Sequence, residues 1–262
     1  MAEPISNSNE TFSNFFESWV SEQNNFLEEL IKASNNDDEF LLVPLITRVV
    51  NHYEHYYKTK SEWAEHHVLS ILSPSWKSSL EDSFLWIGGW RPSMAFHLLY
   101  SKSGLQLEGG LGKLLQGIEL RNLGDLSANQ LMLVDGLQGK TIKEEREISE
   151  KLAKHQESVA DTTMVQLSHV VTELIRENDE NGNGRIDDDM RVESELGKKE
   201  EGLLNILRRA DELRLNTLKK LVNILSPFQA AHFLIAAAEL HLRLHDWGKR
   251  RDATRHGQHD GK

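Results

Sequence analysis

The chain has 262 residues, 39% of them hydrophobic and 27% charged, which is an ordinary composition for a water-soluble globular protein. Cysteine is absent, so disulfide bonds, thiolate metal sites and cysteine nucleophiles are excluded. The net charge of −11 makes the chain as a whole repel nucleic-acid phosphates, and no apolar run approaches the roughly 20 residues that span a bilayer. We therefore expect neither autonomous DNA binding nor a membrane segment.

Helical periodicity dominates the first part of the chain. In the first helix the apolar and aromatic stripe is broken only by the polar Gln23. Ser73-Pro74 should end the second helix, because a residue before proline is disfavoured in the helical region, and Gly104 should end the third. A compact aromatic segment, Trp76–Pro92, precedes the third helix. The predicted helices are Phe12–Leu30, Pro44–Leu72 and Ser93–Lys102.

The rest of the chain predicts longer helices. Ser127 is a suitable N-cap for the first of them, and Gly248 suits the position after the last. A polar, acidic loop at 178–190 interrupts the series. The helices are predicted over Ala128–Gln156, Thr163–Glu177, Glu193–Leu225 and Phe228–Trp247. The fold class is therefore all-α, a multi-helix bundle with long amphipathic helices.

Several segments resemble a known family. The stretch SPSWKSSLEDSFLWIGGWRPS at 73–93 resembles the signature of the delay-of-germination, or seed dormancy control, family. The same domain forms the C-terminal half of the plant TGA-type bZIP transcription factors. The segments 125–131, 213–218, 224–230 and 240–248 agree with it as well. The resemblance covers about residues 10–252, which we expect to be one helical domain, with residues 1–9 and 253–262 disordered.

The resemblance implies a non-enzymatic plant regulatory protein, located in nucleus and cytoplasm, that acts in hormone or developmental signalling. Its implied partners are signalling proteins such as the protein phosphatases of abscisic-acid signalling, or TGA-type bZIP factors, and homo-oligomer formation is open. The chain lacks a basic helix running into leucine heptads, so it has no bZIP arm of its own.

His241 and His245 form a candidate haem site. They lie four residues apart, so on a helix they share one face. The resemblance matches them to histidines implicated in haem binding. Two side chains on one helix face cannot easily straddle a porphyrin plane, so we expect at most one to be an axial ligand. The alternative is two histidines that merely complement the dipole at the end of a helix.

The acidic loop resembles a calcium-binding loop. Asp179, Asn181, Asn183 and Asp187 occupy positions 1, 3, 5 and 9 of the EF-hand template, with glycine at position 6. Position 12 is Met190, where the template requires a bidentate glutamate. We therefore expect either a weak calcium site or a solvated linker.

Trp86, Trp90 and Arg91 are a candidate partner-binding set, because arginine beside tryptophan makes a strong anchor for a partner. The alternative is a packing cluster. No phosphate-binding loop, nucleophile elbow or zinc-protease motif occurs, so we expect no enzyme. Two other functions are open: a transcriptional co-regulator that reaches DNA through a bZIP partner, and a weak calcium-responsive adaptor.

Overall fold

A computed structural model describes residues 6–36, 39–116, 120–176 and 183–259. The all-α prediction is confirmed, and these residues contain no β-strand. The helices are α1 (Ser6–Asn35), α2 (Glu39–Leu72), α3 (Ser79–Asp82), α4 (Met94–Leu115), α5 (Ala128–Glu157), α6 (Thr162–Arg176), α7 (Asn183–Ile224) and α8 (Pro227–His259). Two short 3₁₀ helices, Leu123–Asp125 and Ser158–Ala160, flank α5.

Side-chain caps define where helices begin. The Ser127 hydroxyl accepts a hydrogen bond from the Gln130 backbone N–H, and the Gln130 side chain accepts one from the Ser127 N–H. The predicted N-cap of α5 is therefore confirmed. Ser78 and Glu81 form the same reciprocal arrangement at α3. This second capping box gives a four-residue helix a defined start and holds Glu81 in a fixed place.

Several helices extend beyond their predicted limits, and the longest extensions at a single end are those of α4, α7 and α8. α4 continues through Gly104 to Leu115, and α7 begins at Asn183 rather than Glu193. α8 continues through Gly248 to His259. A Cβ atom at Gly248 would lie 1.9 Å from the Ser78 hydroxyl, so this glycine permits the close approach of α3 to α8. The prediction that Gly248 ends the helix was wrong. Glycine can mark the end of a helix, but it can also allow another segment to approach closely, and here it does the latter.

The core has two parts. The apolar half is formed where α4 and the ends of α1, α2, α5, α7 and α8 meet, and its members include Phe26, Leu30, Phe96, Leu99, Val134, Leu221 and Phe233. The charged half is formed by other parts of α1, α2, α5 and α7 with the segment before α4, and its apolar members include Phe12, Phe16, Ile71, Trp76, Trp86 and Leu207. Lys60, Glu81, Asp211 and Arg214 are buried beside this second cluster.

Candidate functional site

A strained turn at 86–89 lies in the charged half of the core. The Trp86 N–H donates to the Gly89 carbonyl over 2.7 Å, and the two residues between them have positive φ angles, 49° at Ile87 and 65° at Gly88. Positive φ is unfavourable for a β-branched side chain such as that of Ile87. The surrounding structure must therefore supply the interactions that hold this turn.

Arg214 on α7 holds the turn by donating hydrogen bonds to backbone carbonyl groups of the turn. Its guanidinium donates to the carbonyls of Trp86 and Ile87, and its Nε atom donates to the Trp90 carbonyl over 2.6 Å. A Cβ atom at Gly89 would lie only 2.8 Å from the Arg214 guanidinium carbon. The turn and the guanidinium therefore fit closely, and glycine at position 89 makes that fit feasible.

Lys60 and Asp211 complete a buried charge network with Arg214. The Lys60 ammonium donates to the Gly88 carbonyl over 2.8 Å and to Asp211 Oδ1 over 2.9 Å, while Arg214 Nη1 donates to the same carboxylate oxygen. Burial lowers the pKa of Lys60 to about 8, although the neighbouring Asp211 opposes this shift. One carboxylate thus balances two buried cations, whose remaining donors bind turn carbonyls.

A cavity of about 370 Å³ adjoins this network, because Lys60 and Arg214 are among its lining residues. Its volume is in the size range of small-molecule sites. Its wall is mainly aromatic and aliphatic. The aromatic lining residues are Phe16, Trp19, Tyr53, Tyr56, Tyr57, Phe84, Trp90 and Phe233. The polar lining residues are Lys60, Lys77, Arg91, Arg214, Thr217 and His241. The cavity therefore combines a large apolar surface with a small set of cationic groups.

His241 is part of the cavity wall. Its ring centroid lies 5.6 Å from that of Trp19 and 6.3 Å from that of Trp90. Burial, reinforced by the positive charge of Lys77, lowers the pKa of His241 to about 3. The imidazole is consequently neutral at physiological pH, which is the protonation state that a metal ligand requires.

His245 faces a different environment, although it lies one turn further along α8. It is buried, and its Nδ1 atom lies 3.0 Å from Glu81 Oε2. Its Nε2 atom lies 3.9 Å from Glu17 on α1. His245 does not line the cavity; it links α8 to α3 and approaches α1. The structure thus places one histidine of the predicted pair at the cavity and the other in a structural contact.

Glu81 is the partner that fixes His245. Burial alone would raise the pKa of the Glu81 carboxyl, but hydrogen bonds from His245 and from the backbone and hydroxyl of Ser78 outweigh it and lower the pKa to about 2. The carboxylate is fully buried and is negatively charged at neutral pH.

The candidate partner-binding residues have separate roles. Trp86 is buried, and its indole N–H donates to the Ser149 hydroxyl over 2.9 Å. Trp90 and Arg91 line the cavity, and the Arg91 guanidinium, about half exposed, lies 5.4 Å from the centre of the Trp86 ring. Trp86 is therefore a packing residue, while Trp90 and Arg91 are accessible to a ligand in the cavity.

The predicted calcium residues are only partly covered. Asp179 and Asn181 lie outside the described residues, and Asn183 and Asp187 belong to the first two turns of α7. Within the described ranges, no group of three histidine or acidic residues could hold a metal ion. The calcium site stays a prediction.

Sequence reasoning missed Lys60, Asp211 and Arg214. The signal was present, because Leu207, Asp211, Arg214, Leu218 and Leu221 follow one another at spacings of three and four along α7. Two charged residues in an apolar stripe indicate a buried charge pair, and that pattern could have identified them.

Comparisons of the sequence with known proteins identify its family. A family model described as seed dormancy control matches residues 23–101. Protein DOG1-like 3 of Arabidopsis thaliana is 36% identical over 238 residues, which cover 88% of this chain and 80% of that protein. Protein DOG1-like 2 of the same plant is 34% identical, with 89% and 88% covered. Transcription factor TGA2 is 29% identical over 86% of this chain but only 60% of its own length.

The helical bundle and these relatives define a plant regulatory protein. The chain belongs to the DOG1-like family of seed dormancy control proteins, which confirms the resemblance noted in the sequence. Among the described residues, no helix is sufficiently long and apolar to cross a membrane.

Proposed function

We propose that this chain regulates hormone or developmental signalling in the plant cell nucleus and cytoplasm by binding other proteins, and that haem in the cavity modulates this binding. Its partners in this proposal are signalling proteins such as protein phosphatases and TGA-type bZIP factors. Family membership supports the regulatory role. The haem proposal depends on a single structural observation, which is the neutral imidazole of His241 in the wall of an aromatic cavity.

The cavity residues fit a haem group in three respects. The aromatic wall suits the apolar face of a porphyrin, and His241 offers an uncharged imidazole. Lys77 and Arg91 supply positive charge that suits the two propionates. Bound haem would supply an iron centre that an imidazole such as that of His241 could ligate. His245 does not line the cavity, so His241 is the proposed ligand and His245 a positioning residue that fixes α8.

A haem titration followed by absorbance tests this proposal. The wild-type chain should give a saturable Soret band, and His241→Ala should lose it. Ala237→Trp should also abolish the band, because Ala237 lines the cavity and the larger side chain would fill it. His245→Gln should retain haem binding, since an amide can still donate to Glu81.

His97→Ala is the matched control. His97 is exposed on α4, so its loss should change nothing unless haem binds surface histidines adventitiously. A Soret band of full amplitude in His241→Ala would contradict the assignment of the ligand.

A second candidate function is that of a transcriptional co-regulator that reaches DNA through a bZIP partner. The match to TGA2 supports it, because this chain corresponds to about 60% of that transcription factor. The purified chain should then associate with a TGA-type factor and should show no salt-sensitive DNA binding alone. Direct, salt-sensitive binding of the chain to duplex DNA would contradict this candidate.

A further inference from the structure

One face of α8 carries an exposed stripe that changes character along its length. Leu240, Leu244, Trp247, Arg251 and Arg255 follow one another at spacings of three and four, so they lie on the same side of the helix. We refer to these five residues as the α8 stripe. It is about 22 Å long, from its apolar beginning to its basic end.

The first half of the α8 stripe is an exposed apolar surface. Trp247 is 52% exposed and Leu240 is 43% exposed. Phe84, which is 56% exposed, lines the cavity together with Leu240 and Leu244. Large exposed aromatic side chains such as Trp247 and Phe84 are enriched at interaction sites.

The second half is basic. Arg250, Arg251, Thr254 and Arg255 surround a shallow hollow. Neighbouring charged residues are paired, since Arg243 binds Asp246 over 3.0 Å and Lys249 binds Glu17 over 2.6 Å. Within the described ranges, neither a hydrogen bond nor an ion pair is made by the guanidinium groups of Arg250, Arg251 and Arg255.

The helix dipole does not account for this cluster. α8 continues to His259, and Arg250 and Arg251 lie more than two turns before its end. The dipole acts mainly within the last turn, so it explains Arg255 at most. Three unpaired guanidinium groups within six residues of one helix therefore form a local basic patch in a chain of net charge −11, and this patch can pair with an external anion.

We infer that the α8 stripe, with Phe84, Arg250 and Thr254 beside it, is the docking site for an acidic amphipathic helix of a partner protein. The apolar side chains of that helix would pack on Leu240, Trp247 and Phe84, and its carboxylates would pair with the arginines. This inference rests on the proposed function, namely action through protein contacts, and adds the surface and the chemistry of the partner.

The geometry favours a helix over an anionic membrane. A straight stripe about 22 Å long matches about 15 residues of helix, which would touch little else of the chain. A flat anionic surface would extend well beyond the stripe and would face a chain whose net charge is −11, which disfavours its approach.

Synthetic helical peptides test the inference by fluorescence anisotropy. Each probe spans about 15 residues. One half of each peptide carries leucine and phenylalanine at spacings of three and four, and the other half carries glutamates. Two acidic peptides are made, one with the apolar half at the N-terminus and one with it at the C-terminus. Control peptides replace each glutamate with glutamine, or each apolar residue with serine. The wild-type chain should bind one of the acidic peptides, and binding should weaken as salt is raised.

Two protein variants separate the halves of the site. Arg251→Glu with Arg255→Glu should weaken binding more than about tenfold, since like charges then face each other. Trp247→Ser should weaken it about tenfold or more, as expected for an exposed aromatic anchor that the bound peptide would bury. The matched control, Lys140→Glu with Lys143→Glu, makes the same charge change at exposed positions of α5 and should leave the affinity unchanged.

Three results would overturn the inference. The first is that neither acidic peptide binds, although the chain still associates with a TGA-type factor. That result would contradict the docking site and leave the proposed function intact. The second is sedimentation with phosphatidylserine vesicles that depends on Arg251 and Arg255 in the absence of peptide binding. The third is self-association that these variants abolish. A chain that binds the peptide but no regulatory protein would instead contradict the proposed function alone.

Discussion

The two halves of the core stabilise the fold by different means. In the apolar half, side chains such as Phe96, Leu99 and Leu221 are fully buried in one cluster, and α-helices supply nearly all of its members. In the charged half, the network of Lys60, Asp211 and Arg214 is buried beside a turn that is not helical. The comparison indicates that apolar packing suffices where helices meet, whereas irregular backbone requires buried hydrogen-bond donors.

The cavity adjoins the irregular segment of the charged half. The turn at 86–89 is followed directly by Trp90 and Arg91, which line the cavity. Arg214 binds carbonyl groups of the turn and also lines the cavity. The irregular segment leaves room for a ligand, and the buried charges stabilise that segment.

The largest effect should follow from breaking the charge network. Asp211→Ala leaves Lys60 and Arg214 buried without their shared carboxylate, so we expect it to lower the free energy of unfolding by about 3–5 kcal/mol. Leu221→Ala in the apolar half should cost a similar amount, about 2–5 kcal/mol. Urea denaturation at pH 7 measures both values.

Hydrogen exchange separates the two variants. Only Asp211→Ala should increase exchange of the amides at 86–89, because only that change releases the groups that hold the turn. Loss of less than about 1 kcal/mol in Asp211→Ala, the size of an exposed ion pair, would contradict the proposed role of the network.

The two halves should also differ in their response to pH. The pKa of Glu81 falls from 4.5 to about 2 on folding, so its carboxylate contributes stability that is fully present above about pH 4.5. This contribution, about 3 kcal/mol, is lost as the pH falls towards 2. The difference in unfolding free energy between wild type and Glu81→Gln should therefore shrink over that range.

Leu99→Ala in the apolar half is the control for this measurement. Its deficit should stay constant from pH 7 to pH 3, because no titrating group is involved. A Glu81→Gln deficit that is equally independent of pH would contradict the charged state of Glu81 in the folded protein.

A moderate effect is expected at the strained turn. Gly88→Ala places a side chain at a φ angle of 65°, and its Cβ atom would lie 3.0 Å from the Ile71 carbonyl oxygen. We expect a loss of about 1–3 kcal/mol in thermal or urea unfolding. Wild-type stability in this variant would mean that the turn is not rigidly held.

The smallest effect should be a gain in α4. Gly109 is exposed in this helix, and a Cβ atom there would meet no atom within 4 Å. Gly109→Ala should therefore stabilise the chain by about 0.5–1 kcal/mol, since alanine is the better helix former. Calorimetry would detect the change as a small rise in Tm. A fall in Tm would show that Gly109 makes a contact the fold does not reveal.

The sequence predicted the helical fold well and the site only in part. Periodicity located most helices, and Ser127 marked a start correctly because an N-cap is a local interaction. The long extension of α4 was missed, because glycines weaken a helix locally while contacts with the 3₁₀ helix at Leu123–Asp125 support it. Gly248 was misassigned for a similar reason, since the approach of α3 is a tertiary feature.

For the candidate site, the sequence proposed His241 and His245 together and could not predict that only the first of the two lines the cavity. Their environments differ because Glu81, which contacts only His245 of the two, comes from a segment 164 residues away in sequence. The cavity could not be predicted at all, since its wall combines five of the helices with an irregular segment. Such convergence depends on the packing of helices, which local patterns do not encode.

The most direct test of the ligand site is the haem titration of wild type beside His241→Ala and His245→Gln, read at the Soret band. The structure predicts a saturable band in wild type and His245→Gln and its loss in His241→Ala, because only His241 lines the cavity. A band that persists in His241→Ala and disappears in His245→Gln would contradict the account and would assign the ligand to the histidine that Glu81 holds.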